Sequence, residues 1–255
     1  MRSVEQVENI EGKTAVVRVD FNVSIRNGRV QDDFRIKKSL PTIQLLLQKG
    51  AKVVLITHLG ADGSADLAPV IAHFWEISGL EDYKDKIVFF ENVRKFPGEE
   101  KNDPAFAKEL ASLGDVYVNE AFSVSHRTHA SIVGIAEYLP SYAGLQFIKE
   151  VEVLSRSFNP PKPFFLILGG AKFETKLPIV ERLLPSTDFV FIGGGMAKAA
   201  LETAFAKDPK IFFSTPDATA IDANTETLAR IKEKVDASQF ILWNGPLGNY
   251  ENGHT

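Results

Sequence analysis

Two periodicities alternate along this chain. Short runs rich in Val, Ile and Phe recur at 14–19, 52–57, 86–90 and 115–119, and again at 164–168, 189–192, 211–213 and 240–243. Their length, their branched side chains and their Gly or Asp borders predict strands. Between them, apolar residues return at three- and four-residue intervals. Leu40, Ile43, Leu46 and Leu47 mark one face, and Phe106, Leu110 and Leu113 a second. Ile179, Leu183 and Leu184 mark a third, and Leu228, Ile231 and Val235 a fourth. That spacing predicts helices. Ser39, ahead of Leu40 and Pro41, is expected to start the first, and Asn224 to cap the last. Alternating strand and helix predicts an α/β protein with parallel sheets covered by helices on both faces.

The stretch Asn159-Pro160-Pro161-Lys162-Pro163 is too stiff and turn-prone for an element and reads as a seam. The 142–158 stretch before it reads as a helix linking two domains. The expected organisation is a first domain over 1–141, a connecting helix and linker over 142–163, and a second domain over 164–255.

Open α/β sheets bind ligands beyond the carboxyl ends of their strands, so the residues that follow each strand carry the candidate chemistry. Arg18, Asp20 and Asn22 follow the first, His58 the second, Glu91, Asn92 and Arg94 the third. Glu120, His126, Arg127 and His129 follow the fourth. With Arg35 from the first crossover, these cations can converge on a small polyanion, for which the guanidinium fork is well shaped. In the second half, Gly169-Gly170-Ala171-Lys172 follows a strand, with Lys176 four residues on, on one face of the expected helix. Gly193-Gly194-Gly195 and Asn244-Gly245-Pro246 follow two others. Glycine turns let backbone N–H groups approach phosphates, and three of them predict a nucleotide bed.

Composition narrows the field. The 255 residues carry a net charge of -4, which disfavours a nucleic-acid binder and requires any anion to be held by a local basic cluster. There is no cysteine, which excludes disulfides, thiolate metal sites and a cysteine nucleophile. No His or Cys spacing marks a metal site. The early residues form no apolar leader and no run is long enough to span a bilayer, so a cytoplasmic protein is expected.

The strings VRVDFNV at 17–23, DFRIKKSLPTI at 33–43, THLG at 57–60 and ENVRKFPGEEKNDPAFAKELA at 91–111 are followed by DVYVNEAFSVSHRTHAS at 115–131. LGGAKFETK at 168–176, FIGGGMA at 191–197 and LWNGPLGNYE at 242–251 complete a colinear set across almost the whole chain. This set closely resembles the phosphoglycerate kinase family. The resemblance implies two Rossmann-like three-layer domains joined by a hinge helix. It also implies reversible phosphoryl transfer between 1,3-bisphosphoglycerate with ADP and 3-phosphoglycerate with ATP, Mg²⁺ accompanying the nucleotide, in a monomer. It assigns Asp20, Asn22, His58, Arg94 and Arg127 to phosphoglycerate and sets Arg35 beside the transferring phosphoryl group. Gly170, Lys172 and Lys176 are assigned to the nucleotide phosphates, with Lys176 also supplying transition-state charge. Gly194, Asn244 and Pro246 lie along the nucleotide and Glu251 at its ribose.

The chain also departs from the pattern. Ala61-Asp62 stands where the family usually continues HLG with Arg-Pro. The stretch between GGGMA and WNGP is short, and the family's later GGGD turn and glycine-rich helix start do not follow. The second domain is therefore expected to be incomplete and to expose a sheet edge. Two readings follow: a phosphotransferase, or a fragment that binds 3-phosphoglycerate without turnover.

Overall fold

The computed structural model describes residues 1–170 and 172–248, and the chain divides into two compact units, 1–152 and 153–255. Unit 1 holds a five-stranded parallel sheet. Its strands are β1 (Thr14–Arg18), β4 (Lys52–Ile56), β5 (Ile87–Phe89), β6 (Val116–Asn119) and β7 (Ser141–Ala143), in the order β5-β4-β1-β6-β7. β2 (Ile25–Arg26) and β3 (Arg29–Val30) form a separate hairpin, turned by Asn27-Gly28 with both residues at positive φ.

Alternate strand residues feed opposite layers. Ala15, Val17, Val53 and Leu55 pack against α1 (Phe34–Gln48) and α2 (Ala68–Ser78) through Ile43, Leu46 and Phe74. Val16, Val54, Ile56 and Tyr117 pack on the other face against α3 (Pro104–Ala111) through Phe106 and Leu110. Burial on both faces is why β1 and β4 read as unbroken apolar runs.

Unit 2 repeats the plan with a four-stranded parallel sheet in the order β10-β9-β8-β11. Its strands are β8 (Phe164–Leu168), β9 (Phe189–Ile192), β10 (Ile211–Phe212) and β11 (Phe240–Asn244). Phe164, Leu166 and Leu168 meet α5 (Leu177–Leu183) and α6 (Ala197–Leu201), whereas Phe165 and Ile167 share a cluster with Ile231 of α7 (Thr225–Ala237). Among the described residues β11 is an edge strand, and its Ile241 and Trp243 are exposed.

The eight expected strands fall where the sequence predicts them, within a residue or so at each end, whereas β2, β3 and β7 are not among those expected. Three helical expectations need correction. α1 begins at Phe34, not after Ser39: Asp32 accepts the Phe34 N–H and Asp33 pairs with Lys37 in the first turn. Ser39 is buried inside the helix, where its hydroxyl donates to the Arg35 carbonyl, and Pro41 lies in the helix interior. The 142–158 stretch is not helical throughout. Tyr142 belongs to β7, Gly144 breaks the chain, and α4 (Leu145–Ser155) runs on into a 3₁₀ turn, Arg156–Phe158. On α7, Asn224 caps as expected by accepting the Thr227 N–H, but Leu228 is exposed. Thr227 takes the buried place instead, its hydroxyl accepting the Thr215 N–H.

The start of α4 is capped from other elements. The Thr42 hydroxyl accepts the Leu145 N–H at 2.9 Å and donates to Glu120 Oε1 at 2.7 Å. Glu120 then accepts the N–H groups of Gln146 at 3.1 Å and Phe147 at 3.2 Å. A Cβ at position 144 would collide with the Glu120 carboxylate, so the approach requires glycine. Burial pushes the Glu120 carboxyl up to about 7, against the opposing pull of the Thr42, Gln146 and Phe147 donors. Because this folded-state value lies above the unfolded one, the stabilisation is complete below the ordinary value of 4.5 and is lost as pH rises through about 7. Relative to Glu120→Gln, the wild-type chain should lose roughly 2–4 kcal/mol of stability between those two pH values. Parallel curves in pH-resolved denaturant titrations would exclude a buried ionising Glu120.

Candidate functional site

In unit 1 the chain runs from β1 outward to β4 and β5, then returns to β6 on the other side of β1. The strand order therefore reverses between β1 and β6, the place where open α/β sheets leave a crevice. Asp20 and Asn22 follow β1, and Ser123 and Arg127 follow β6. Ser123 donates to Asp20 Oδ2 across this gap at 2.5 Å. Arg35, in the first turn of α1, donates Nη1 to the same oxygen at 2.8 Å and to the Asn22 carbonyl at 3.2 Å. Asn22 in turn accepts the Gly60 N–H at 3.0 Å, which joins the β1 loop to the β4 loop. Arg35, Asp20, Asn22 and the His58–Gly60 turn thus form one connected rim.

Arg94 follows β5 and reaches back to that turn. Its Nη1 donates to the Ala61 carbonyl at 2.7 Å and pairs with Glu100 at 2.5 Å. Asn92 sets its backbone by accepting the Arg94 and Leu59 N–H groups while donating to the Leu59 and Ala65 carbonyls. Arg127 is half-buried, and its guanidinium makes no hydrogen bond or ion pair among the described residues. Its charge, like those of Arg18 and Arg94, disfavours protonation of His58.

Arg18, expected among the converging cations, is instead turned inward. It is 1% exposed, with all its contacts internal. Nε donates to Ser131 Oγ at 2.9 Å, Nη1 to the Val19 carbonyl at 2.6 Å, and Nη2 lies 3.1 Å from His58 Nδ1. Ser131 donates its hydroxyl to Glu99 Oε1 at 2.5 Å and its N–H to Oε2 at 2.9 Å. Glu99 is fully buried. Tyr117 closes the cluster by donating to the Ser131 carbonyl at 2.8 Å. Burial lowers the Arg18 pKa and the Glu99 charge opposes the shift. His58, also buried, is pushed from its ordinary 6.5 down to about 3, first by desolvation and then by the Arg18 charge. His129 is lowered by burial, with Glu99 opposing.

Unit 2 reverses its strand order between β8 and β11, and the glycine turns collect there. The Gly170 N–H donates to the Pro246 carbonyl at 3.1 Å, Gly169 N–H to the Asn244 carbonyl at 2.9 Å, and Met196 N–H to the Gly170 carbonyl at 3.1 Å. A Cβ on Gly169 would collide with the Pro246 carbonyl, and one on Gly245 with the Gly169 carbonyl. Gly170, Gly194 and Gly245 all have positive φ. Gly170, Gly194, Asn244 and Pro246 are therefore neighbours. Lys172 and Lys176 do not share a helical face: α5 starts at Leu177, after a turn over 174–176. Lys172 is exposed, Lys176 half-buried, and neither side chain has a partner among the described residues. Glu251 lies outside the described residues.

The phosphoglycerate kinase model matches residues 4–207. The chain belongs to the phosphoglycerate kinase family. A phosphoglycerate kinase of Dictyoglomus turgidum is 34% identical over 314 aligned positions, covering 96% of this chain and 79% of the relative. That of Borrelia garinii subsp. bavariensis is 36% identical, covering 98% and 82%. Among solved structures, phosphoglycerate kinase from Pyrococcus horikoshii OT3 superposes with a TM-score of 0.85 at 25% identity, over 98% of this chain and 82% of that one. The enzyme from Coxiella burnetii gives 0.76 at 28%, over 98% and 81%. The 314 aligned positions exceed the 255 residues of this chain, so the Dictyoglomus relative carries residues inside the matched span that are missing here. Membership makes the chain a kinase, a phosphotransferase of glycolysis, and favours that reading over a binding fragment without turnover. The family acts on ATP and ADP. No helix among the described residues is long and apolar enough to cross a membrane.

Ser123, Ser131 and Glu99 are the site residues that motif reading passes over. Arg18→Met should cost roughly 3–5 kcal/mol, because it leaves the Glu99 charge buried without its counter-ion. Arg18→Met with Glu99→Gln should recover most of that loss in the same chemical denaturation. Additive losses would show that the two charges are not coupled.

Proposed function

We propose that unit 1 binds 3-phosphoglycerate or 1,3-bisphosphoglycerate through Asp20, Asn22, His58, Arg94 and Arg127, with Arg35 beside the transferring phosphoryl group. Unit 2 binds ATP or ADP through Gly170, Lys172, Lys176, Gly194, Asn244 and Pro246. The observation that carries this reading is Arg127. A half-buried guanidinium without a partner among the described residues, beside a histidine held neutral, is a place for an anion. The nucleotide half is supported by three glycine turns in backbone contact, with two unpaired lysines following one of them.

The chemistry asks little more of these residues. The acceptor is a carboxylate, already ionised at neutral pH, so no strong base is required. What is needed is to hold two anions within reach and offset charge as the phosphoryl group passes between them. Arg35 is half-exposed and uses only Nη1 on Asp20 and Asn22, which leaves its other N–H groups for the phosphoryl oxygens. Lys176 supplies charge from the nucleotide side.

The glycine turns and lysines suit nucleotide phosphates. Among the described residues no cluster of three or more His, Asp or Glu is placed to hold a metal by itself. Mg²⁺ would accompany the nucleotide phosphates held by Gly170, Lys172 and Lys176, and would supply positive charge there. We further propose that the chain works as a cytoplasmic monomer.

The test is ATP- and Mg²⁺-dependent phosphorylation of 3-phosphoglycerate by the purified chain. The expected kcat is ~1–100 s⁻¹. Arg35→Ala should lower it by roughly 10²–10³-fold with an unchanged melting temperature. Substrate binding without turnover would sink the proposed activity, and a near-normal rate in the variant would remove the role of Arg35.

A further inference from the structure

We propose that Arg18 is a positioning residue that fixes His58 as the neutral tautomer with its proton on Nε2, so that the ring meets a ligand as a hydrogen-bond donor and not as a cation. The argument begins with donor inventory. A guanidinium has five N–H groups and no acceptor. A contact of 3.1 Å between Arg18 Nη2 and His58 Nδ1 is therefore a hydrogen bond only if Nδ1 is unprotonated. The proton of the neutral ring then sits on Nε2, the other edge. Imidazolium would set an N–H against an N–H beside a like charge.

Arg18 cannot turn away to admit that second proton. Nε is held by Ser131 and Nη1 by the Val19 carbonyl, and the whole side chain is buried. Glu99, bonded twice to Ser131, keeps the guanidinium charged from the far side. The charged groups that act on the ring are Arg18, Asp20, Arg94 and Arg127, and three of the four oppose its protonation.

The tautomer rests on this geometry alone. Its consequence for the ligand rests on the proposed function: the positive charge comes from the arginines, and His58 adds direction without adding charge. Substrate binding should then show no titration of His58 across about pH 5–8, the window in which an ordinary histidine changes charge.

The experiment is two-bond ¹H–¹⁵N correlation of the histidine rings in the labelled 255-residue chain, with His58 assigned by its loss in His58→Gln. The expected result is one neutral species, protonated at Nε2, unchanged across about pH 5–8. It should stay neutral with 3-phosphoglycerate added, with a shift at Nε2. A proton on Nδ1, a tautomer mixture, or an imidazolium appearing in that range or on ligand addition would overturn the proposal. In Arg18→Met with Glu99→Gln, the ring stays buried but should lose its single Nε2–H form and show a tautomer mixture, and an unaltered ring in the folded double variant would remove the role of Arg18. If that variant fails to fold, the wild-type series still decides the tautomer. A wild-type ring that is neutral at Nε2 but insensitive to 3-phosphoglycerate would uphold the tautomer and sink the ligand reading instead.

Discussion

A guanidinium buried at the end of the central strand of unit 1 constrains much of what surrounds it. Arg18 is the last residue of β1, and desolvating its charge is unfavourable by several kcal/mol unless every N–H finds a partner and a counter-charge lies near. Those partners come from far along the chain. Ser131 is 113 residues away, and Glu99 lies 32 residues before Ser131. Satisfying Arg18 therefore draws the loop after β5 and the segment after β6 onto the end of β1. Arg94 and Arg127 ride on those same segments. Arg94 and Arg127 are thus positioned by a cation beneath them, and disturbing the buried network should displace the two together.

The site also shows how a chain of net negative charge can present a basic surface. Arg35 and Arg94 each have a carboxylate, but the two pairs differ. Asp20 is largely buried and is held by Ser123 as well as by Arg35, so it aims the guanidinium. Glu100 is exposed, but the Arg94 side chain it pairs with is only 8% exposed. Glu100 thus stands at the solvent side of Arg94, whereas Asp20 is part of the wall. The usual family arginine after HLG is Ala61 here, and its carbonyl accepts from Arg94. Arg94 is thereby held against the turn on which that cation is missing.

Much of this was legible in the sequence because buried parallel strands are written as unbroken runs of branched and aromatic residues. Their ends then mark where polar side chains must gather. Asp20, His58, Arg94 and Arg127 follow from that rule alone. Helix starts were less legible, since Ser39 looks like a cap only if the Asp32-Asp33 pair before Phe34 is overlooked. The hairpin around Asn27-Gly28 went unread although Asn-Gly favours such a turn, because its two-residue strands show no period, and Ser141–Ala143 was also too short to show one. The Arg18–Ser131–Glu99 network was not legible at all. Serine and glutamate are ordinary surface residues, and only the fold brings them under β1. The role of Arg18 was misjudged for the same reason: a strand-end arginine facing inward is spelled like one facing out.

The second unit shows which part of a site tolerates a shortened chain. The contacts that join its glycine turns run from main chain to main chain, from Gly170 to Pro246 and from Met196 to Gly170. They need β8 between β9 and β11, and they need glycines where a Cβ would collide. They make no demand on the length of the crossovers. Helices and loops between β9 and β11 can shrink, as the short interval from GGGMA to WNGP suggests, without moving the turns, because strand pairing sets their separation. The cost falls on coverage. β11 is an edge among the described residues, with Trp243 and Ile241 exposed, and α7 reaches its sheet through Ile231 and Val235 while Leu228 stays in solvent. Apolar burial is thus incomplete at the periphery of the second unit, while the backbone bed at the strand ends is in place.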